Sequence, residues 1–207
     1  MNGERAVIIA GGEIQDYTKI RPLIRDEDFI IAADSGYDHA VKLGLFPDIV
    51  IGDFDSIQAK PQHIPLAEFP KEKDCSDTAL ALEHARQSGF SVFLLLAALG
   101  NRLDHSLANL FLLATTLAEG ETMEIVDEQM RIRLIDGRGK ITAPRGTTVS
   151  LIPLSDCYGV ETTGLSYPLR RESLRVGETR GLSNIVCDSP ASVFLEKGRL
   201  FILETTG

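Results

Sequence analysis

Aspartates follow several of the apolar segments of this sequence. Asp34 comes directly after FIIAA, Asp53 and Asp55 come after DIVIG, and Asp104 comes shortly after SVFLLLAAL. Two carboxylates at alternate positions of a strand end point to one side, which suits a hard cation such as Mg²⁺ that takes oxygen ligands together with substrate phosphate. Several carboxylates at one edge would repel one another unless a cation neutralised them. The set therefore predicts a metal–nucleotide site, although an isolated DxD is more often a polar turn.

Other residues near these aspartates have chemistry that suits phosphate. Gly11 and Gly12 follow AVIIA, and their backbone amides could approach phosphate oxygens. The Arg102 guanidinium can hold two such oxygens at once. Asp74 and Asp77 stand three residues apart at the start of a predicted helix. Each feature also has a simpler interpretation. The two glycines are typical of a tight turn, and Arg102 could form a salt bridge to a neighbouring aspartate. Asp74, Asp77 and also Asp104 could be ordinary helix caps.

The predicted helix after Arg102 carries two further polar candidates. His105 and Asn109 are four residues apart and so share one helical face. A histidine in such a place is more often a structural hydrogen-bonding residue than a base. The sequence has no GxxxxGK[ST] motif, which argues against a P-loop enzyme.

The elements that must position these residues have two different periodicities. From Arg5 to about Asp127, short continuous apolar runs alternate with helical stretches. Continuous apolarity indicates strands buried on both faces, and helices between them indicate a doubly wound, mostly parallel α/β domain over residues 1–128. Ligands of such sheets collect at the carboxyl ends of the strands, and the aspartates fall at those ends.

The second part of the chain, residues 129–207, lacks the helical period. Short strand-like segments are separated by turn residues, which predicts a C-terminal antiparallel β-sandwich or barrel. Asp136-Gly137 and Lys197-Gly198 are typical of hairpin turns. A core of this size is small, so we expect the domain to pack on the first one or on a second subunit.

Composition narrows the class of partner. A formal net charge of -9 argues against a nucleic-acid or anionic-membrane surface, because such partners need a basic face. The densest apolar run, Val92 to Leu99, is far shorter than the roughly 20 residues that span a bilayer, and the N-terminus does not resemble a secretory signal. The 3 cysteines show neither a CxxC spacing nor an even number. We expect a cytoplasmic protein.

The ordered motifs resemble those of one known family. ADSG (Ala33 to Gly36), PDIVIGDFDS (Pro47 to Ser56), KDCSDTALAL (Lys73 to Leu82) and GNRLDHSLAN (Gly100 to Asn109) are similar to the motifs of bacterial thiamine pyrophosphokinases. GLSYPL (Gly164 to Leu169) and GLSNIV (Gly181 to Val186) match the motifs on the thiamine side of that family. Asn101 departs from the pattern, since the family usually has a second glycine there.

The resemblance implies a reaction, a cofactor and an assembly. The family transfers the pyrophosphoryl group of ATP to the hydroxyl of thiamine, giving thiamine diphosphate and AMP, and its members are homodimers with active sites between subunits. The implied cofactor is Mg²⁺. Together with the residue chemistry, the resemblance assigns catalytic and metal-binding roles to Asp53, Asp55, Asp77 and Asp104, ATP binding to Gly12, Asp34, Lys73, Asp74, Arg102, His105 and Asn109, and thiamine binding to Tyr167, Ser183 and Asn184.

Two other functions stay open at this level. A Mg²⁺-dependent phosphohydrolase with an aspartyl nucleophile also places DxD at a strand end, but after the first strand, where this chain has Gly11-Gly12. A nucleotide-binding sensor without turnover would have little use for so many convergent carboxylates, because they repel one another.

Overall fold

The computed structural model describes residues 5–53, 64–68, 74–115 and 120–205. The chain forms two compact units, Met1–Glu128 and Gln129–Gly207. Among the helices of these residues, none has the length and apolarity needed to cross a membrane.

The first unit is built on a parallel sheet. Its strands are β1 (Arg5–Ile9), β2 (Phe29–Ala33), β3 (Ile49–Gly52), β4 (Leu66–Glu68), β5 (Val92–Leu96) and β6 (Thr122–Val126). They lie in the order β4-β3-β2-β1-β5-β6, and each neighbouring pair is parallel. The helices are α1 (Tyr17–Ile20), α2 (Gly36–Lys42), α3 (Asp77–Gln87) and α4 (Leu103–Leu112). The doubly wound α/β prediction is confirmed, and the direction of winding changes between β1 and β5.

Both faces of this sheet are covered, which explains the continuous apolar runs. Val7 and Ile9 of β1 pack with Ile20 of α1 and Ala40 of α2 on one face. The helix α3 contacts β1, β2 and β3, and its Arg86 lies over the Phe93 ring, 6.0 Å from the centroid. Phe93 pairs with Ala6, which lies next to Val7 and so points to the opposite face. The central strands therefore carry apolar side chains on both faces of the sheet.

The second unit is an antiparallel β-sandwich, as predicted. Its strands are β7 (Met130–Ile135), β8 (Arg138–Ile141), β9 (Thr148–Pro153), β10 (Cys157–Thr163), β11 (Arg170–Leu174), β12 (Asn184–Ile185), β13 (Ala191–Phe194) and β14 (Leu200–Thr205). One sheet runs β12-β9-β14-β7 and the other β11-β10-β13-β8. Alternate residues such as Val149, Leu151, Val193 and Ile202 form the core of this unit.

The two predicted hairpins of this unit are wrong. β7 pairs with β14, whereas β8, directly after Asp136-Gly137, pairs with β13 in the other sheet. Lys197-Gly198 likewise lies between β13 and β14, which belong to different sheets. Both turns are corners at which the chain changes sheet. The two corners meet, since the Leu195 N–H donates to the Gly137 carbonyl at 2.8 Å.

Candidate active site

A cavity of about 450 Å³ lies at the carboxyl ends of β1, β2 and β5. Its size is typical of a small-molecule site, and its place beside the change of winding is where doubly wound sheets bind ligands. The turns after these strands and the first turns of α3 and α4 form the wall. The sequence-predicted residues that line it are Gly12, Asp34, Asp77, Arg102, His105 and Asn109.

The turn after β1 packs directly against the turn after β5. The Gly12 N–H donates to the Ala97 carbonyl at 2.7 Å, and the Glu13 N–H donates to the Leu99 carbonyl at 2.8 Å. A Cβ on Gly12 would lie 2.3 Å from the Leu99 oxygen and 2.4 Å from the Ala97 oxygen. Only glycine allows this approach, so Gly12 is required by packing between two backbone segments that form one wall of the cavity.

Asp34 enters the cavity wall through an uncommon backbone conformation. Its φ is 48°, in the left-handed region that aspartate tolerates better than most residues. Its N–H donates to the Ile51 carbonyl at 2.8 Å, which ties the end of β2 to β3. Backbone strain of this kind concentrates at functional sites, and here it accompanies a carboxylate in the cavity wall.

At the start of α3, a serine rather than either predicted aspartate makes the cap hydrogen bond. Ser76 is the N-cap, and its Oγ accepts a hydrogen bond from the Ala79 N–H at 3.2 Å. Asp77 is the first residue of the helix, lines the cavity and adds negative charge where the helix dipole favours it. Asp74 is exposed and does not line the cavity. The cap hydrogen bond is thus made by Ser76.

Arg102 and Asp104 form an ion pair on the surface. Arg102 Nε lies 3.0 Å from Asp104 Oδ1, and its terminal nitrogen lies 2.7 Å from Oδ2. This bidentate hydrogen bond raises the pKa of Arg102 and holds the pKa of Asp104 well below its usual range. The salt-bridge interpretation of Arg102 therefore holds in this structure. Arg102 also lines the cavity, whereas Asp104 does not.

His105 and Asn109 share a helical face but differ in environment. His105 is exposed at the cavity, whereas Asn109 is buried and donates from Nδ2 to the Ala98 carbonyl at 2.8 Å. Ser106, which the sequence analysis missed, accepts from the Gly100 N–H at 3.1 Å. Asn109 and Ser106 thus anchor the turn between β5 and α4. Their spacing of three on the helix is the signal that was available in the sequence.

The predicted DxD motif is only partly described. Asp53 is half-buried directly after β3 and does not line the cavity. Asp55 and Lys73 lie outside the described residues, so their roles stay predictions. Within residues 5–53, 64–68, 74–115 and 120–205, no group of three or more His, Cys, Asp or Glu side chains is arranged to hold a metal ion. Glu13, Asp34 and Asp77 nevertheless give the cavity lining three carboxylate-bearing residues, the donor type that Mg²⁺ prefers.

The three predicted thiamine-binding residues lie together in the second unit. Tyr167 is 69% exposed. Asn184 is buried; its Oδ1 accepts from the Tyr167 N–H at 3.0 Å and its Nδ2 donates to the Tyr167 carbonyl at 2.7 Å. Ser183 has a φ of 56° and donates its N–H to Ser150 Oγ at 3.1 Å. Asn184 therefore holds the backbone that presents the exposed Tyr167 ring.

Comparisons with known proteins agree along the chain. A family model described as "Thiamin pyrophosphokinase, catalytic domain" matches residues 20–126, and one described as "Thiamin pyrophosphokinase, vitamin B1 binding domain" matches residues 131–200. The thiamine pyrophosphokinase of Bacillus subtilis (strain 168) is 27% identical over 208 residues, which cover 96% of this chain and 97% of that protein.

Solved structures show the same fold. A thiamine pyrophosphokinase structure from Bacillus subtilis has a TM-score of 0.88 at 24% identity and covers 99% of this chain and 100% of its own. A thiamin pyrophosphokinase structure from Geobacillus thermodenitrificans has a TM-score of 0.83 at 26% identity and covers 98% of each chain. The similarity thus extends through both units.

Proposed function

Because this chain belongs to the thiamin pyrophosphokinase family, whose reaction transfers the pyrophosphoryl group of ATP to thiamine, we propose a role for each of its units. Unit Met1–Glu128 binds ATP with a divalent metal ion, and unit Gln129–Gly207 binds thiamine. The observation that carries the proposal is the cavity at the ends of β1, β2 and β5. It combines a close-packed glycine turn, three carboxylate-bearing residues and an arginine at the place where such sheets bind ligands.

The reaction demands positioning more than covalent chemistry. The thiamine hydroxyl oxygen attacks the β-phosphorus, a new P–O bond forms, the bond from that phosphorus to the α–β bridging oxygen breaks, and AMP leaves with that oxygen. Catalysis then depends on holding the triphosphate in line and stabilising its charge. Arg102 donates hydrogen bonds to phosphate oxygens from the cavity wall. Asp53 or Asp77 accepts the proton of the thiamine hydroxyl.

The metal in this proposal is Mg²⁺. Asp53, Asp55, Asp77 and Asp104 are its proposed ligands, with Asp34 beside them, because carboxylate oxygens suit a hard cation. When bound, Mg²⁺ neutralises charge on the triphosphate.

Thiamine carries a cationic ring, and Tyr167 offers a surface for it. An exposed aromatic face attracts a cation electrostatically, and Asn184 holds the Tyr167 backbone in place by accepting from its N–H and donating to its carbonyl. Ser183 is the neighbour of Asn184 in the chain, and its backbone is held by Ser150. We propose Tyr167 and Ser183 for the direct contact to thiamine, and Asn184 supports Tyr167.

The assembly proposed here is a homodimer with active sites between subunits, as the family resemblance implies. Exposed apolar side chains support an interface: Leu103, Leu107 and Phe111 follow one another at spacings of four on α4 and are 68%, 45% and 54% exposed. Light scattering on the purified chain checks this, and a monomer at assay concentrations contradicts it. A cytoplasmic location stays a prediction of the sequence.

A direct assay tests the function. The purified protein is incubated with Mg-ATP, with and without thiamine, and AMP and thiamine diphosphate are quantified by chromatography. We expect AMP only when thiamine is present, in equal amount to thiamine diphosphate. Phosphate release without thiamine would instead support the phosphohydrolase, and ATP binding without turnover would support the sensor. Asp77→Asn should abolish most of the product, whereas Asp136→Asn, an exposed carboxylate of the second unit, should not.

A further inference from the structure

His39 contacts the glycine turn from behind the cavity wall. This side chain of α2 is half-buried, with Nε2 2.8 Å from the Gly12 carbonyl oxygen and Nδ1 2.8 Å from the Tyr17 hydroxyl. A carbonyl only accepts, so Nε2 carries the proton and donates it to Gly12. In the neutral ring Nδ1 then accepts from Tyr17. Gly12 lines the cavity and His39 does not, so any effect of His39 on a ligand passes through Gly12.

The rest of this turn is held by backbone and carboxylate groups. The Gly12 and Glu13 N–H groups donate to the turn after β5. Further along, the N–H groups of Gln15 and Asp16 donate to Glu128 Oε1 at 2.5 and 2.9 Å. These bonds satisfy N–H groups, whereas the His39 bond satisfies a carbonyl. Because glycine has the widest backbone freedom, the carbonyl of Gly12 needs such a partner to keep one orientation.

We propose that His39 is a positioning residue for nucleotide binding: by donating from Nε2 to the Gly12 carbonyl, it fixes the glycine turn against the ATP phosphates. This rests on the proposed function, since the turn has that task only if the cavity binds ATP. A displacement of about 1 Å at a binding wall can cost about a hundredfold in rate, so a clamp on a glycine peptide has a measurable effect.

The surroundings of His39 favour the neutral ring that this arrangement uses. Burial lowers the pKa of His39, and the nearby ammonium of Lys42 lowers it further, while the Gly12 carbonyl and the carboxylates of Asp38 and Glu128 act in the other direction. The Tyr17 ring lies beside the imidazole, with centroids 5.9 Å apart. A protonated ring would still donate to Gly12 but would also present a donor to the Tyr17 hydroxyl. The clamp on Gly12 therefore depends on Nε2 rather than on charge.

Two substitutions of His39 distinguish the role of Nε2 from that of Nδ1. Glutamine can place an amide nitrogen where Nε2 lies, whereas the shorter asparagine reaches only the position of Nδ1. We expect H39N to raise the KM for ATP and the Kd for Mg-ATP about tenfold, with the KM for thiamine unchanged. H39Q should stay within about threefold of the parent for both nucleotide constants, because it retains the donor to Gly12. His84→Asn on α3, away from the cavity lining, is the control for introducing asparagine in place of histidine.

Mg-ATP binding is measured by calorimetry and unfolding by thermal denaturation on each variant. Similar ATP constants in H39N and H39Q overturn the proposal, as does a joint rise of both substrate KM values with a loss of Tm. Should H39N not fold, H39A, which also lacks the donor to the Gly12 carbonyl, takes its place in the comparison: a Mg-ATP affinity about tenfold weaker than that of H39Q supports the clamp, and an affinity equal to that of H39Q refutes it. If the parent protein binds Mg-ATP but makes no thiamine-dependent AMP, the proposed function fails while the binding comparison still tests His39.

Discussion

Replacing Gly12 by alanine should damage ATP use through a clash that the structure locates. The added Cβ would lie 2.3 Å from the Leu99 oxygen and 2.4 Å from the Ala97 oxygen, and both are backbone atoms that cannot rotate away. An ordinary contact between such atoms needs about 1 Å more. The turn must therefore move by about that distance, which also stretches the 2.7 Å hydrogen bond from the Gly12 N–H to Ala97.

The size of the effect follows from this displacement. Overpacking costs about 1–3 kcal/mol of folding free energy, and the weakened hydrogen bond adds about 1 kcal/mol. A 1 Å misplacement of a binding wall reduces the rate about a hundredfold, which corresponds to about 2.7 kcal/mol of transition-state stabilisation. We therefore expect kcat/KM for ATP to fall about a hundredfold in G12A, while the KM for thiamine is unchanged.

The measurement is steady-state AMP formation with each substrate varied in turn, together with thermal unfolding. Gly137→Ala is the matched control, because a Cβ there meets nothing within 4 Å. It should leave both the kinetic constants and the Tm close to those of the parent. The reasoning is refuted if G12A keeps the parent's kcat/KM for ATP, since a wall that moves without effect is not holding phosphate.

Three further predictions concern the metal, the thiamine side and pH. Asp77→Asn should lower turnover at least tenfold and raise the Mg²⁺ concentration needed for half-maximal rate, with little change in Tm; EDTA should abolish activity and added Mg²⁺ should restore it. Tyr167→Ala should raise the KM for thiamine about tenfold without changing the KM for ATP, because it removes an exposed ring and not a core residue. The same KM for thiamine in the variant and the parent would show that Tyr167 does not contact thiamine. Denaturant unfolding as a function of pH should show the free energy of unfolding decreasing as the pH falls below about 6.5, because burial lowers the pKa of His39 and the unfolded chain then binds a proton that the folded chain does not. H39Q should lose that part of the pH dependence, and an identical profile in H39Q would assign it to other groups.

The first unit follows closely from sequence because local pattern and global position agree there. Apolar runs such as FIIAA are continuous because both faces of the sheet are covered. The residues after these runs lie at the ligand-binding edge because the parallel strands all end there. The corners of the sandwich could not be predicted in the same way. Turn residues such as Asp136-Gly137 show that the chain reverses, but which sheet the next strand joins depends on partners far along the chain.

Residues of the candidate site could likewise be predicted where their position depends on local sequence, but not where it depends on distant contacts. Asp34 and Asp77 could be placed at the cavity because each adjoins the end or start of an element. Asp104 also adjoins a helix start, yet its carboxylate is directed to Arg102 by a side-chain contact that spacing alone leaves open. His39 gave no signal in the sequence, because its role depends on a carbonyl that lies far away in the chain and close in space.

The sheet-changing corners have a consequence for synthesis on the ribosome. β14, the last strand of its unit in chain order, lies between β9 and β7, and β13 lies between β10 and β8. Neither sheet can close until residues 191–205 have been made, since each would lack an interior strand. The parallel sheet of the first unit is complete by Val126. The apolar side chains that will form the core of the sandwich therefore stay exposed until this unit has been translated. We expect the second unit to need chaperone protection more than the first.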